Sequence, residues 1–559
     1  MTETVNLRTS SGGQILVQCL QVEGVERAFC VPGESYLAVL DAFVDAPEIQ
    51  VITCRQEGGA AMMAAADGKL SGNPGACFVT RGPGATNASA GVHLARQASI
   101  PMVLFIGQVA RDTRDREAFQ EIDYRQMFGG IAKWVAEVDS AQRMAEYVQR
   151  AFAVARAGRP GPVVLALPED MLRETATPPV LGTPPAPASP SPNQADIDHF
   201  NRLLTQSRKP LVLCGEANWS DSREQLHAWC ESHQLPVAAA FRCQDNFDND
   251  NPLYIGDVGL GINPALRRRI ESADLVICLG GRFSEIVTQN YGILQPGGQQ
   301  KIIYVHPSAE ELAAAPAVEL AINAGMERLL SVLLDESPPE ATAARSSWVE
   351  SARADYEQWN SPQPIPGPLQ YGEIVTWLRE QLEDDAIICN GAGNYAIWVH
   401  RFFRYRRANT QLAPISGSMG YGLPAAIAAK LRFPQRQVIC FAGDGCLQMT
   451  LQEMATACQY GANILLIVVN NGSLGTIRMH QERNYPGRTS ATDLYNPDFV
   501  ALARAYGFHA EAVAETQQFA SAYAAATAAN KPALLELQLP LEALTPNLKL
   551  SELSKLSNL

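Results

Sequence analysis

The strongest chemical signal in the sequence is Gly443-Asp444-Gly445 after the apolar run VICFA, followed by Asn470-Asn471 after the next such run, ILLIVV. Short β-branched runs read as buried strands, here Val438–Ala442 and Ile464–Val469. The stretch from about Met449 to Gln459 between them reads as a helix, with Leu451, Met454, Ala455 and Cys458 at helical spacing. In a strand–helix–strand unit both strands end on the same sheet edge, where open α/β sheets bind ligands. Asp444 and the Asn471 amide oxygen are hard donors suited to Mg²⁺. The glycines let backbone approach a diphosphate, and a helix N-terminus favours its negative charge. Either turn alone is ordinary turn chemistry. The pair on consecutive strands points to a metal–phosphate site, with both side chains expected at exposed strand ends clear of the core.

The elements that would position this site belong to a chain of 559 residues, too long for one hydrophobic core. Two proline-rich stretches divide it. The expected organisation is a first domain over 1–177, a linker over 178–193, a central domain over 194–338, a linker over 339–367, a third domain over 368–545 and a tail over 546–559. Each domain alternates β-rich runs with helical patterns, which predicts parallel α/β sheets. Cys77–Thr80 and Val103–Gly107 read as strands of the first, with a helix over Gly58–Lys69; Pro210–Cys214 and Leu275–Leu279 read as strands of the second. Two similar α/β layers at the ends with a third between them is the coarse expectation.

Composition narrows the function classes. The chain is 47% hydrophobic and 18% charged, with a net charge of -14 that disfavours a nucleic-acid partner. The longest apolar runs are strand-sized, so no membrane span is expected. Residues 1–14 lack a basic region followed by an apolar stretch, so no secretory signal is expected. The 12 cysteines are scattered without metal-finger spacing and read as buried, reduced thiols of a cytoplasmic protein.

With these motifs in place the chain resembles the thiamine-diphosphate-dependent enzymes, and within them the acetolactate synthase group. Beyond GDG…NN the resemblance rests on Gly391-Ala392-Gly393-Asn394-Tyr395 and SGSMGYGLPAA (Ser416–Ala426), and on Val31-Pro32-Gly33, Arg55-Gln56-Glu57, TRGPGATN (Thr80–Asn87), Gly107-Gln108-Val109 and RPGPV (Arg159–Val163) in family order. It implies three doubly wound α/β domains: pyrimidine-binding, central and diphosphate-binding. By the same resemblance Asp444, Asn471 and the Ser473 carbonyl would hold Mg²⁺. Gly391, Gly393, Asn394, Tyr395, Gly443, Gly445 and Cys446 would line the thiamine diphosphate, and Gly417 and Met419 would support its bent shape. Glu57 maps to the family's indispensable acid, which promotes the imino tautomer of the aminopyrimidine; an ordinary helix-start glutamate is the bland alternative. The cofactor would lie between the first domain of one subunit and the third of another, in a dimer or tetramer.

Several residues depart from the group. Glu34 follows Gly33 where acetolactate synthases carry glycine, and either faces the reacting carbon as an acid or base or caps the following helix. Arg81 stands for a serine, His480 for a tryptophan that closes the pocket, and Thr476 for a methionine. Glu34 is therefore a second catalytic candidate, and Arg81, Gln108 and His480 are substrate-facing candidates. Ala98-Ser99 occupy the positions of the histidine pair of simple pyruvate decarboxylases. The non-redox flavin (FAD) site of acetolactate synthases is poorly kept: Cys214-Gly215-Glu216, Val305-His306-Pro307 and Gly129 depart from it, although Arg282 is retained. Tightly bound flavin is disfavoured.

The expected activity is decarboxylation of a 2-keto acid and transfer of the resulting acyl-carbanion equivalent to a carbonyl acceptor. Two rivals stand beside it. One is a flavin-linked 2-keto-acid oxidase; the other is a catalytically silent relative serving as a binding subunit, which would have lost Glu57, Asp444 or Asn471.

Overall fold

The computed structural model describes residues 9–177, 182–184, 186–217, 219, 222–294, 298–315, 317–336 and 343–556. Residues 178–181 and 185 of the first expected linker, 337–342 around the second, and 557–559 of the tail lie outside the described residues.

Three six-stranded sheets, parallel throughout, carry the fold. The first consists of β1 (Arg27–Cys30), β2 (Gln50–Thr53), β3 (Gly75–Val79), β4 (Met102–Gln108), β5 (Trp134–Glu137) and β6 (Pro162–Pro168), in the order β2-β1-β3-β4-β6-β5. The second consists of β7 (Pro210–Cys214), β8 (Val237–Ala240), β9 (Tyr254–Val258), β10 (Leu275–Leu279), β11 (Lys301–His306) and β12 (Leu320–Asn323), in the order β9-β8-β7-β10-β11-β12. The third consists of β13 (Ile387–Asn390), β14 (Gln411–Leu412), β15 (Val438–Gly443), β16 (Leu465–Asn470), β17 (His509–Val513) and β18 (Ala533–Gln538), in the order β14-β13-β15-β16-β18-β17. The first and third sheets therefore share one strand order and the middle one has another, a distinction the coarse sequence pattern of two similar end layers did not reach.

The strands that read as continuous apolar runs are buried along their length: every residue of β3, β4, β6, β7 and β10 is buried. That is the requirement of a parallel sheet covered by helices on both faces. Each sheet has its own core, typified by Phe78 stacked on Phe105 at 4.6 Å in the first, by Trp229 in the second and by Trp398 in the third. No disulfide joins the twelve cysteines, eleven of which are buried. No helix among the described residues is long and apolar enough to cross a membrane.

By contact the chain forms two compact units. One comprises residues up to 188 with 423–434 and 450–462; the other comprises 189–422, 435–449 and 463 onward. The expected helix over Met449–Gln459 is not continuous. The chain makes a short helix over Asp444–Leu447, a 3-10 turn over Leu451–Glu453 and a second short helix over Met454–Gln459. Its buried residues are Glu453, Met454, Thr456 and Ala457; Leu451, Ala455 and Cys458 are only half-buried. Of the four apolar positions only Met454 is buried, and it shares the buried side with a carboxylate, that of Glu453.

Candidate active site

In a doubly wound sheet the ligand crevice opens beyond the strand ends where the strand order reverses. In the third sheet that point lies between β13 and β15, whose carboxyl ends run into Gly391–Tyr395 and Asp444-Gly445-Cys446. A cavity of about 340 Å³ opens there. Of the expected cofactor and metal residues, Gly393, Asn394, Tyr395, Gly417, Met419, Gly443, Asp444, Gly445, Cys446, Asn471 and Ser473 all line it. Gly391 lies directly behind: a Cβ there would come within 2.4 Å of Cys446 Sγ, so only glycine fits.

Local hydrogen bonds fix these loops. Tyr395 Oη accepts from Gly391 N (3.0 Å) and donates to Cys446 Sγ (3.2 Å), tying the β13 loop to the β15 loop. Thr476 Oγ1 accepts from Asn394 N (2.9 Å) and donates to Asn394 Oδ1 (3.0 Å). Thr476 thus braces the loop from the helix Gly475–Asn484 that follows Asn471. Gly443 and Gly445 are small for a reason the sequence concealed. A Cβ on Gly443 would strike the Tyr395 ring at 2.8 Å, and one on Gly445 would strike Leu474 at 2.8 Å.

Asp444 is not at an exposed strand end, as expected, but only 3% exposed. Burial raises its pKa above the usual carboxylate value. Hydrogen bonds from Asn496 Nδ2 to Oδ2 (2.7 Å) and from Gly445 N to Oδ1 (2.9 Å), with the nearby Gly472 and Ser473 N–H groups, act in the opposite direction. Asn496 also donates to Asn470 Oδ1 (2.9 Å), so one amide holds both motifs in register. Sequence reading missed Asn496, whose Asn-Pro-Asp context signals only the helix cap at Asp498. Asn471 Oδ1 accepts from Ser473 N (3.1 Å), which folds the turn so that Ser473 is buried at 3% exposure. One carboxylate, one amide oxygen and one carbonyl suit a hard cation that takes its other oxygens from a diphosphate and water. The donor set fits magnesium diphosphate, and the glycine-lined, half-open crevice fits the rest of such a cofactor.

The expected residues of the first sheet also gather at a switch point, between β1 and β3. Glu57 opens the helix Glu57–Ser71, capped by Gln56, and its Oε2 accepts from Asn87 Nδ2 (2.9 Å). Glu453 holds the residues before it: its carboxylate, 0% exposed, accepts from Arg55 N (3.1 and 3.2 Å), Gln56 N (3.0 Å) and Thr456 Oγ1 (2.6 Å). Nothing in a lone Glu453 signalled this contact, which spans almost four hundred residues. Glu34 begins the 3-10 turn Glu34–Tyr36 and exposes 71% of its side chain. Arg81 is buried and engaged within its own chain, by Glu169 (3.2 Å), by Glu34 (3.7 Å) and by the Phe119 carbonyl (3.1 Å). Gln108, at the end of β4, turns back to donate to the Ile122 carbonyl (3.0 Å) and accept from Val109 N (2.9 Å). His480 is exposed on the helix Gly475–Asn484. In the second sheet the switch point between β7 and β10 carries Glu216 and Arg282, which pair at 3.2 Å.

Comparison with known proteins follows the same segmentation. The family profile described as "Thiamine pyrophosphate enzyme, N-terminal TPP binding domain" matches residues 10–127. The corresponding central-domain profile matches 197–333, and the "C-terminal TPP binding domain" profile matches 391–537. The acetolactate synthase large subunit of Lactococcus lactis is 32% identical over 509 residues, covering 89% of this chain and 88% of that one. The acetolactate synthase large subunit of Corynebacterium glutamicum is 30% identical, covering 91% and 83%. A probable acetolactate synthase large subunit of Methanocaldococcus jannaschii is 30% identical, covering 95% and 93%.

Proposed function

The chain belongs to the thiamine pyrophosphate enzyme family, and from that premise we propose that it decarboxylates a 2-keto acid and transfers the resulting acyl unit to a carbonyl acceptor. The observation that carries this reading is the convergence of four separate segments, around 391–395, 417–419, 443–446 and 471–476, on one cavity. The names of the relatives support the acetolactate-synthase-like direction.

In this reading Asp444, Asn471 and the Ser473 carbonyl hold Mg²⁺, and the backbone of Gly445 and Cys446 with Asn394 and Tyr395 holds the diphosphate. Thiamine diphosphate, when bound, supplies the electron sink for carbon–carbon bond cleavage. The chain's own work is to fix that group and to manage one proton. Glu57, oriented by Asn87 and by the Glu453-braced turn before it, shares a proton with the aminopyrimidine ring. We assign it to a second copy of the chain, which makes the functional unit at least a dimer. Glu34, Gln108 and His480 are proposed to face the substrate. Arg81, already held by two carboxylates, is proposed to orient Glu34.

The test is incubation of the purified protein with thiamine diphosphate, Mg²⁺ and a panel of 2-keto acids with aldehyde or keto-acid acceptors, following CO₂ release and carbon–carbon products by NMR. Product formation that vanishes in Glu57→Gln supports the reading. Protein that binds the cofactor yet releases no CO₂ from any acid refutes it.

A further inference from the structure

The wall of the active-site cavity contributed by the central part of the chain carries a charged group that no motif assigns. Arg242 follows β8 with φ at +62°, a left-handed backbone that a side-chain-bearing residue adopts only when its surroundings impose it. It is 4% exposed and lines the cavity with Phe241, Asp257 and His400. Its guanidinium lies over the Phe241 ring at 4.6 Å, and Nη1 donates to the Pro414 carbonyl, three residues before Gly417. Nε is buried without a partner among the described residues. Burial brings its pKa down to about 10, so the group stays cationic at neutral pH. Its side-chain contacts are to a carbonyl and a ring, and no carboxylate among the described residues is ion-paired to it.

A second nitrogen in the same wall is also unmet. His400 Nδ1 sits between Gln244 Oε1 (2.9 Å) and Gln411 Nε2 (3.1 Å), whereas Nε2 is buried with no partner among the described residues. Burial and the neighbouring Arg242 cation push this imidazole well below its usual range, so it is neutral. A buried cation without a counter-ion is costly, and natural chains keep one where a ligand brings the opposite charge. A planar guanidinium suits a two-oxygen anion in particular.

We propose that Arg242, with His400 beside it, forms an anion subsite of this cavity that takes an oxygen pair of its ligand, either the carboxylate of the donor acid or a phosphate of the cofactor. The proposal rests on the cavity being the active site argued above.

The test uses the full-length protein and the variants Arg242→Met and Arg242→Lys, with thiamine diphosphate plus Mg²⁺ titrated by calorimetry and the wild type's best 2-keto acid titrated by rate. Arg242→Met is expected to lose at least tenfold in one of two quantities, and Arg242→Lys to recover part of it. A rise in cofactor Kd identifies the phosphate as the anion. A rise in KM for the acid with the cofactor Kd unchanged identifies the carboxylate. The ligand-free Arg242→Met protein should unfold at or above the wild-type temperature, because no counter-ion is lost. Both constants within twofold of wild type overturn the proposal, and so does a drop in thermal midpoint in both ligand-free variants, which would make Arg242 a brace for Pro414. If the wild type consumes no 2-keto acid, the functional reading fails by itself. The cofactor titration then decides the subsite alone, an unchanged Kd overturning it.

Discussion

Asp257 gives a quantitative check on the electrostatics of the cavity. It lies near the end of β9 and lines the cavity; its nearest side-chain donor is Gln244 Nε2, at a long 3.5 Å. Tyr254, Tyr356 and Tyr405 lie within electrostatic reach, and none brings a positive charge. Burial therefore raises its pKa from 3.8 to about 7. The sign follows from linkage: above pH 3.8 the unfolded chain releases this proton while the folded chain keeps it until about pH 7. Stability contributed by Asp257 is thus full at low pH, falls as pH rises through that window and stays low above it. The full gap corresponds to about 4 kcal/mol at pH 8, and solvent screening at a residue that is only half-buried reduces it to roughly 2–4 kcal/mol. Asp257→Asn removes the penalty without changing the shape. Because the two units need not unfold together, the readout is hydrogen–deuterium exchange of the peptide spanning Tyr254–Val258 in ligand-free protein. Comparing variant with wild type at each pH cancels the intrinsic exchange rate. The variant should be more protected at pH 8 by about 2–4 kcal/mol and by roughly half as much at pH 5.5. A difference that does not change with pH, or a variant less protected at pH 8, would refute the reasoning.

Three further outcomes are expected. Asp444→Ala and Asn471→Ala should each abolish the rise in thermal midpoint that thiamine diphosphate with Mg²⁺ produces in the wild type, and a full rise in both variants would remove them from the metal set. Glu57→Gln should still bind the cofactor but slow proton exchange at its thiazolium carbon by at least about 100-fold, measured by NMR; exchange at the wild-type rate would rule Glu57 out. Glu453→Gln keeps one oxygen for the Arg55 and Gln56 N–H groups but removes the charge and puts an NH2 where the second oxygen accepts from Thr456 Oγ1 and Arg55 N, at a cost of roughly 1–3 kcal/mol. The amides of Arg55 and Gln56 should exchange faster in that variant, and unchanged protection would show that the buried carboxylate does not hold the turn before Glu57.

Local sequence was enough to place the central strands it named, because a strand buried on both faces must be apolar along its length, and Pro210–Cys214 and Leu275–Leu279 were legible to the residue. It also placed Asp444 and Asn471 at the ends of neighbouring strands, because strand, turn chemistry and spacing are all short-range properties. The broken helix over 444–459 shows where that reasoning stops. Periodicity assumes that apolar residues seek the core, whereas here the core side is taken by Glu453, whose carboxylate is satisfied by amides from residues 55 and 56. The burial of Asp444 depends in the same way on Asn496, fifty-two positions away. Arg242, Asp257 and His400 carry no motif, and they share a wall with the loops at 392–395 and 443–446 only because β8 and β9 end beside the helix Tyr395–Phe402. Which polar groups are desolvated, and which partners satisfy them, depends on contacts between residues hundreds of positions apart. That information lies in the packing of the sheets and is not written in any single stretch of the chain.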